Sequence, residues 1–356
     1  MNMQSKKNPP RGLFDEFDQL DKLSKLNDPL ERLIKRIDFE VFRDDLNTIY
    51  QNNDRKSNAG AKPYDYVMML KILILQRLYN LSDEQMEFQI NDRATFKRFL
   101  GLNISDRVPD TNTIWTFKEK LKHNDNEKKL FECFYTILES QGLIVDEGKM
   151  VDASFHEVPR QRNSREENTQ IKEGQIPNDW KNNAHKLSHK DTDARWTKKN
   201  GVNYYGYKNH IKADTKSKLI ESYTVTDASV HDSQTLEKLL DEKDKGQPLY
   251  ADSAYTGENQ EATIEEKKMI NRVHEKGYRN TPLTETQKEN NRGKSKIRAR
   301  IEHIFGHIEN SMNGSSMRSI GILRARVVIG LTNLAYNISR AIQLGIQMLR
   351  VKCALS

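Results

Sequence analysis

Two short strand signals in this chain each run straight into an aspartate, and that pair narrows the fold more than any other feature. Pro248-Leu249-Tyr250-Ala251-Asp252 is an apolar run that opens a turn of small residues, Ser253 to Gly257. Gly148 to Ser154 repeats the design, with Met150 and Val151 leading into Asp152. An aspartate at a strand end has its backbone fixed by the sheet while its carboxylate stays free to reach a ligand. Taken alone, such a residue is more ordinarily a turn or helix-cap aspartate. A third acid, Glu302, sits in the stretch Lys294 to Glu309, which reads as a basic helix. Mg²⁺ prefers hard oxygen ligands and takes only one or two carboxylates from a protein, leaving room for water and phosphate. Two such ions about 4 Å apart can be held by three acids, one ion activating an attacking oxygen and the other steadying the leaving oxygen. Asp, Asp and Glu on strand, strand and helix therefore suggest phosphoryl transfer.

Composition supports a polyanionic partner. The formal charge is +7 and the isoelectric point near 9.1, which bears on binding and not on fold. Distribution says more: from Lys288 to Arg300 there are six Lys or Arg against one Glu, directly before Glu302. A solvated charged face is the usual meaning of such a run, but its place beside a candidate metal site favours phosphate and marks Lys294, Lys296, Arg298 and Arg300 as DNA-contacting candidates. The most apolar window, Tyr66 to Leu81, is broken by Lys71, Gln76 and Arg77, so no membrane span is expected. Met1 to Arg11 is polar, with Pro9 and Pro10, so no secretory signal is expected either. Cys133 and Cys353 are far apart and read as reduced cytosolic thiols.

Residues 1–59 are polar, with one helical patch between Leu30 and Ile49. A strong helix follows Pro63, with Val67, Leu70, Ile74 and Leu78 at helical spacing, and Ser82-Asp83-Glu84-Gln85 has the form of a capping box for the next. Asp110 to Thr113 caps another, and Asn126 to Gly142 supplies one more. Residues 60–145 thus form a helical unit whose Arg93, Lys97, Arg98, Lys118, Lys120 and Lys122 could make it a helix-turn-helix DNA reader or could be plain helical packing. Residues 146–345 read as the catalytic unit. Inside it, about 160–200 is too polar to bury a core of its own and reads as a mobile insertion. Tyr205, Tyr207, Asn209 and Ile211 alternate, a turn falls at Asp214 to Lys218, and Leu219 to Val225 returns, which is a hairpin. Val230-His231-Asp232-Ser233 caps a helix from Gln234 to Leu240, and another spans Glu258 to Lys268. Ile320, Leu323, Val327, Leu331, Leu334, Ile338 and Ile342 recur at three and four, giving a long C-terminal amphipathic helix. The order is that of an α/β domain whose ligands gather at the carboxyl ends of strands.

Seven stretches in order then match a known pattern: Tyr64 to Glu84, Asp106 to Thr111, Val151-Asp152-Ala153, Tyr205 to His210, Val230 to Ser233, Ala251 to Gly257, and Ile297 to His303. On them the chain resembles the transposases of bacterial insertion sequences with a DDE catalytic core, in particular the IS-five-like branch, from about residue 60 to 340. The resemblance implies a ribonuclease-H-like mixed sheet core flanked by helices, with an N-terminal all-helical domain, and Mg²⁺-dependent cutting and joining of DNA, with Mn²⁺ able to substitute. It implies Asp152, Asp252 and Glu302 as catalytic and metal-binding residues, and Lys208, within the Tyr205 to His210 stretch, as a DNA contact. Arg298 fits the family's Arg-x-x-x-Glu signature, where the arginine meets phosphate. The lysine that the family carries seven residues after that glutamate is replaced by Glu309. Implied partners are double-stranded DNA at element ends and target DNA, a homodimer or higher oligomer assembled on DNA, and a cytoplasmic, nucleoid-associated setting.

Three rivals remain open on sequence grounds. A ribonuclease-H-like nuclease that cuts without joining would use the same acids. A DNA-binding regulator with an inert core would explain Glu309. A zinc hydrolase could use His303 and His307, four apart on one helix, but the glutamate precedes the first histidine where His-Glu-x-x-His places it after.

Overall fold

The computed structural model describes residues 15–50, 62–199, 201–278 and 281–346. The described residues begin with helices α1 (Asp15–Lys25), α2 (Pro29–Arg36) and α3 (Arg43–Tyr50). The helical patch expected between Leu30 and Ile49 is therefore broken. Ile37 turns extended after α2, and Asp38 caps a separate 3₁₀ turn, Phe39–Phe42, by accepting the Glu40 N–H at 3.0 Å. Most of the remaining polar segment and Cys353 lie outside the described residues.

Next come α4 (Tyr66–Tyr79), α5 (Asp83–Asp92), α6 (Ala94–Leu100), α7 (Thr111–Leu121) and α8 (Asn126–Ser140). Local chemistry sets their starts. The Asp65 carboxylate, not Pro63, caps α4 by accepting the Met68 N–H at 2.9 Å. Ser82 and Gln85 close the expected capping box at α5, and Asp110 caps α7. The expected basic surface is largely turned inward. Lys97 is buried and donates to the Ile104 carbonyl, Arg98 pairs with the buried Asp28 at 2.5 Å, and Lys118 pairs with Asp83 at 2.6 Å.

The sheet holds β1 (Lys149–Glu157), β2 (Arg195–Lys199), β3 (Val202–Asp214), β4 (Ile220–Asp227), β5 (Pro248–Tyr250) and β6 (Ile270–Asn271). β1 pairs antiparallel with β3, and β3 with both β2 and β4. On its other edge β1 pairs parallel with β5, and β5 with β6. An antiparallel meander extended by parallel strands on the side of its first strand is the ribonuclease-H-like arrangement. β1 and β3 cross closely at Gly206, where φ is +151° and a Cβ would stand 2.2 Å from the His156 carbonyl oxygen. Only glycine fits there.

The polar stretch expected to be a mobile insertion is folded, as α9 (Arg165–Lys172), α10 (Asn178–Lys181), α11 (Ala184–Ser188) and β2. Its composition offers too little apolar area to bury, so directed polar bonds hold much of it in place. Trp180 is fully buried and its Nε1–H donates to Glu167 at 2.8 Å. Asp191, also buried, accepts the Tyr207 hydroxyl and the backbone N–H groups of Asp193, Ala194 and Gly321.

Helices α12 (Leu236–Leu239), α13 (Glu258–Glu266), α14 (Glu285–Gly306) and α15 (Ile322–Gln343) are the remaining α-helices among the described residues. α12 is shorter than the helix expected from Gln234, because its first turn is 3₁₀, Asp232–Thr235. α15 is the keel of the molecule: it packs on α4 and α8 from the N-terminal helices and on β3 and β4 from the sheet. One apolar core runs through all of them, from Leu30 and Leu70 to Tyr223 and Leu334. Two buried amides fix the helix on the sheet. Asn333 exchanges bonds of 2.9 and 3.2 Å with Asn209, and Asn337 accepts the Ile220 N–H and donates to its carbonyl. No helix among the described residues is long and apolar enough to cross a membrane.

Candidate active site

Strand register brings the two aspartates together. In the parallel pair Met150 lies opposite Tyr250, so Asp152 and Asp252, each two residues further on, come side by side. Asp152 is still inside β1, opposite Ile211 of β3, and is almost fully buried. Asp252 has left β5 and caps the 3₁₀ turn Ser253–Tyr255 through the Ala254 N–H at 2.8 Å. The capping role and an outward carboxylate are compatible, because the cap uses one oxygen.

α14 packs across β1 and β5. Ile301 and Ile304 are its buried anchors, and Glu302, between them in sequence, is exposed. One turn earlier on the same face stands Arg298. Its Nη1 donates to Asp152 Oδ2 at 3.0 Å and to Glu302 Oε1 at 3.3 Å, while its buried Nε has no partner among the described residues. Strand acid and helix acid thus share one guanidinium nitrogen.

Burial pushes the Asp152 carboxyl up to about 6, and the negative charge of Asp252 adds to the rise, while Arg298 opposes it. The buried hydroxyl of Tyr255 has no partner among the described residues; burial first and then Asp152, Asp232 and Asp252 hold it in its neutral form. Sequence reasoning misses Tyr255, because it takes only Asp252 from the Ala251 to Gly257 stretch. The available signal is a large aromatic in a turn of otherwise small residues.

Among the described residues no group of three or more His, Cys, Asp or Glu side chains is gathered tightly enough to hold a metal ion. Like charges without a cation between them repel, and here an arginine stands between two of the acids. The donor set is nonetheless of the right kind: hard carboxylate oxygens, one of them buried with its charge only partly balanced.

The remaining basic candidates divide. Lys296 is exposed on α14. Lys294 donates to the Val273 carbonyl at 2.9 Å, and Arg300 to the Thr215 carbonyl at 2.9 Å, so both also brace α14. Lys208, expected to meet DNA, is buried, with Nζ bonded to the Val230 carbonyl at 2.7 Å and to Asp232 at 2.8 Å. Its stretch, Tyr205 to His210, is a hub of tertiary contacts: Tyr205 and Tyr207 bond Asp191, Asn209 bonds Asn333, and His210 bonds Thr226. His231 caps its own turn, as its sequence position favours. His303 contacts Lys218 and His307 packs on Tyr336, so these two rings face different neighbours. Glu309 lies in a π-helical turn, His307–Ser311, that continues α14.

The mixed sheet flanked by helices is a ribonuclease-H-like fold, and comparison with known proteins gives the family. The transposase DDE domain family matches residues 145–338, and a second family, described as transposase domain (DUF772), matches residues 18–120. The chain belongs to the transposases with a DDE domain. A similar solved structure is a cryo-EM structure of the piggyBac transposase synaptic complex with hairpin DNA, at 10% identity and a TM-score of 0.41, over 88% of this chain and 76% of that one.

Proposed function

We propose that this protein binds the inverted-repeat ends of an insertion sequence and catalyses metal-dependent DNA strand cleavage and strand transfer. The observation that carries the proposal is the meeting of Asp152 and Glu302 on one guanidinium nitrogen of Arg298, with Asp252 placed beside Asp152 by strand register. Asp152, Asp252 and Glu302 would hold the metal ions. Divalent ions, two Mg²⁺ or Mn²⁺ in their place, supply charge neutralisation at the transferring phosphate and an activated oxygen when bound. Arg298 is the residue to orient that phosphate, because it stands between Asp152 and Glu302 and a planar guanidinium can give two donors to phosphate oxygens. The sheet holds Asp152 rigid, and α14 carries Glu302 and Arg298 as one unit. Lys294, Lys296 and Arg300 extend positive charge along the same helix towards the DNA backbone, while Lys208 supports the site from within. Assembly as a homodimer or larger oligomer on paired ends, in the cytoplasm at the nucleoid, completes the reading.

The test is incubation of the purified protein with Mg²⁺ and DNA carrying its flanking inverted repeats, with products mapped on a sequencing gel. Breaks at the element ends and 3′ ends joined to target DNA are expected. Breaks without joined products would leave a nuclease, and binding without breaks a regulator.

A further inference from the structure

A cavity of about 420 Å³ lies where the N-terminal helices meet the segment leading into α15, away from the residues that form the candidate active site. One wall is the turn between α4 and α5 with Arg77, another is α7 with Lys118 and Lys122, and the third carries Arg318 and Arg324. Against these five cations stand two acids, and both are already engaged. Asp83 accepts from Lys118 at 2.6 Å and from Gln76 at 2.7 Å, while Glu119 takes Arg324 through bonds of 2.7 and 2.9 Å and Lys122 at 2.5 Å. Among the described residues the Arg77 guanidinium has no hydrogen-bond acceptor, and Arg318 makes only a long bond, 3.5 Å, to the Asn80 carbonyl. Burial pushes the Arg77 guanidinium down to about 10; Asp83 resists this and the like charge of Arg318 adds to it. Unbalanced cations converging on a concave, partly desolvated space call for an anion.

We infer that this cavity is a phosphate-binding site, with Arg77 and Arg318 supplying the two guanidinium groups that meet the anion. Guanidinium forks match phosphate oxygens two by two, and the volume suits a phosphorylated ligand. The third wall is tied to the catalytic sheet, since Ser316 bridges to Glu157 at the end of the strand that bears Asp152. The phosphate could belong to a DNA backbone, which rests on the DNA-binding reading above, or to a free phosphoanion.

Two titrations of the full-length protein separate these sources. Pyrophosphate should raise the melting temperature of the wild type and have no such effect on Arg77→Gln or Arg318→Gln. Binding to a short duplex of arbitrary sequence should weaken in both variants, with the slope of log affinity against log salt falling by about 0.9 for each phosphate that is no longer neutralised. Arg318→Gln changes an exposed side chain, and Arg77→Lys keeps the charge, so these variants separate weaker binding from impaired folding. A response to pyrophosphate alone assigns the site to a free phosphoanion, and a response to duplex alone assigns it to the DNA backbone. Variants that match the wild type in both titrations overturn the inference, even if the wild type binds DNA well.

Discussion

Arg298 ties Asp152 to Glu302, so its removal tests whether those ion pairs serve the fold or the chemistry. Arg298→Ala should lower cleavage far more than Arg298→Lys, because lysine keeps the charge and loses the planar fork. Neither should move the melting temperature by more than a few degrees. A marked fall in melting temperature for Arg298→Ala would make the arginine a structural brace. Two buried histidines give the fold its own acid sensitivity. Burial pushes His156 and His210 down to about 4 from an ordinary 6.5, against the opposing charge of Asp232 at His210, and each has an Nδ1 without a hydrogen-bond partner among the described residues. A folded value below the unfolded one means that their contribution is complete above about pH 6.5 and is lost as pH falls towards 4. The span is worth roughly 3 kcal/mol per histidine. Urea midpoints should therefore drop steeply between pH 6.5 and 4.5, and His156→Gln should flatten that fall; an unchanged pH dependence in the variant would count against it. Residue by residue, the sequence shows which groups are acidic and what carries them, but not which way a side chain turns. Lys208 illustrates the limit: it lies on a strand covered on both faces, where alternation gives no direction, and the group that claims it, Asp232, is distant in sequence.

Elements are more legible than their ends. The hairpin β3–β4, the capping box before α5 and the long α15 each follow from a local pattern of apolar period and cap chemistry. The N-terminal patch reads as one helix because its apolar spacing runs on past Ile37, while the break depends on the Asp38 cap. The segment about 160–200 reads as mobile because it is too polar to bury a core of its own, while polar bonds such as those of Asp191, whose partners include Gly321 near the start of α15, help to hold it. That makes a direct test possible. Asp191→Ala would strip the acceptor from the Tyr207 hydroxyl and from three backbone N–H groups. The expected cost is about 3–5 kcal/mol in urea denaturation, with faster proteolysis between residues 160 and 190. Stability within about 0.5 kcal/mol of the wild type would show that the segment is held by other means.

Across the whole molecule, α15 joins the N-terminal helices to the sheet through one apolar core, which has a consequence for dissection. Removing residues 1–125 would uncover the face of α15 that packs on α4, so the remaining fragment should be poorly soluble and should melt well below the full chain. A soluble fragment with an unchanged melting temperature would mean that the two parts fold independently. The proposed chemistry stands or falls on the yield of 3′ ends joined to target DNA in Mg²⁺ by the wild type, Asp152→Asn, Asp252→Asn and Glu302→Gln, with DNA binding measured alongside. If the three acids act as one metal-dependent site, each variant should lose joined and cleaved product by about a hundredfold or more while still binding DNA. Near-normal product from any one of them would remove that residue from the site and contradict the three-acid assignment.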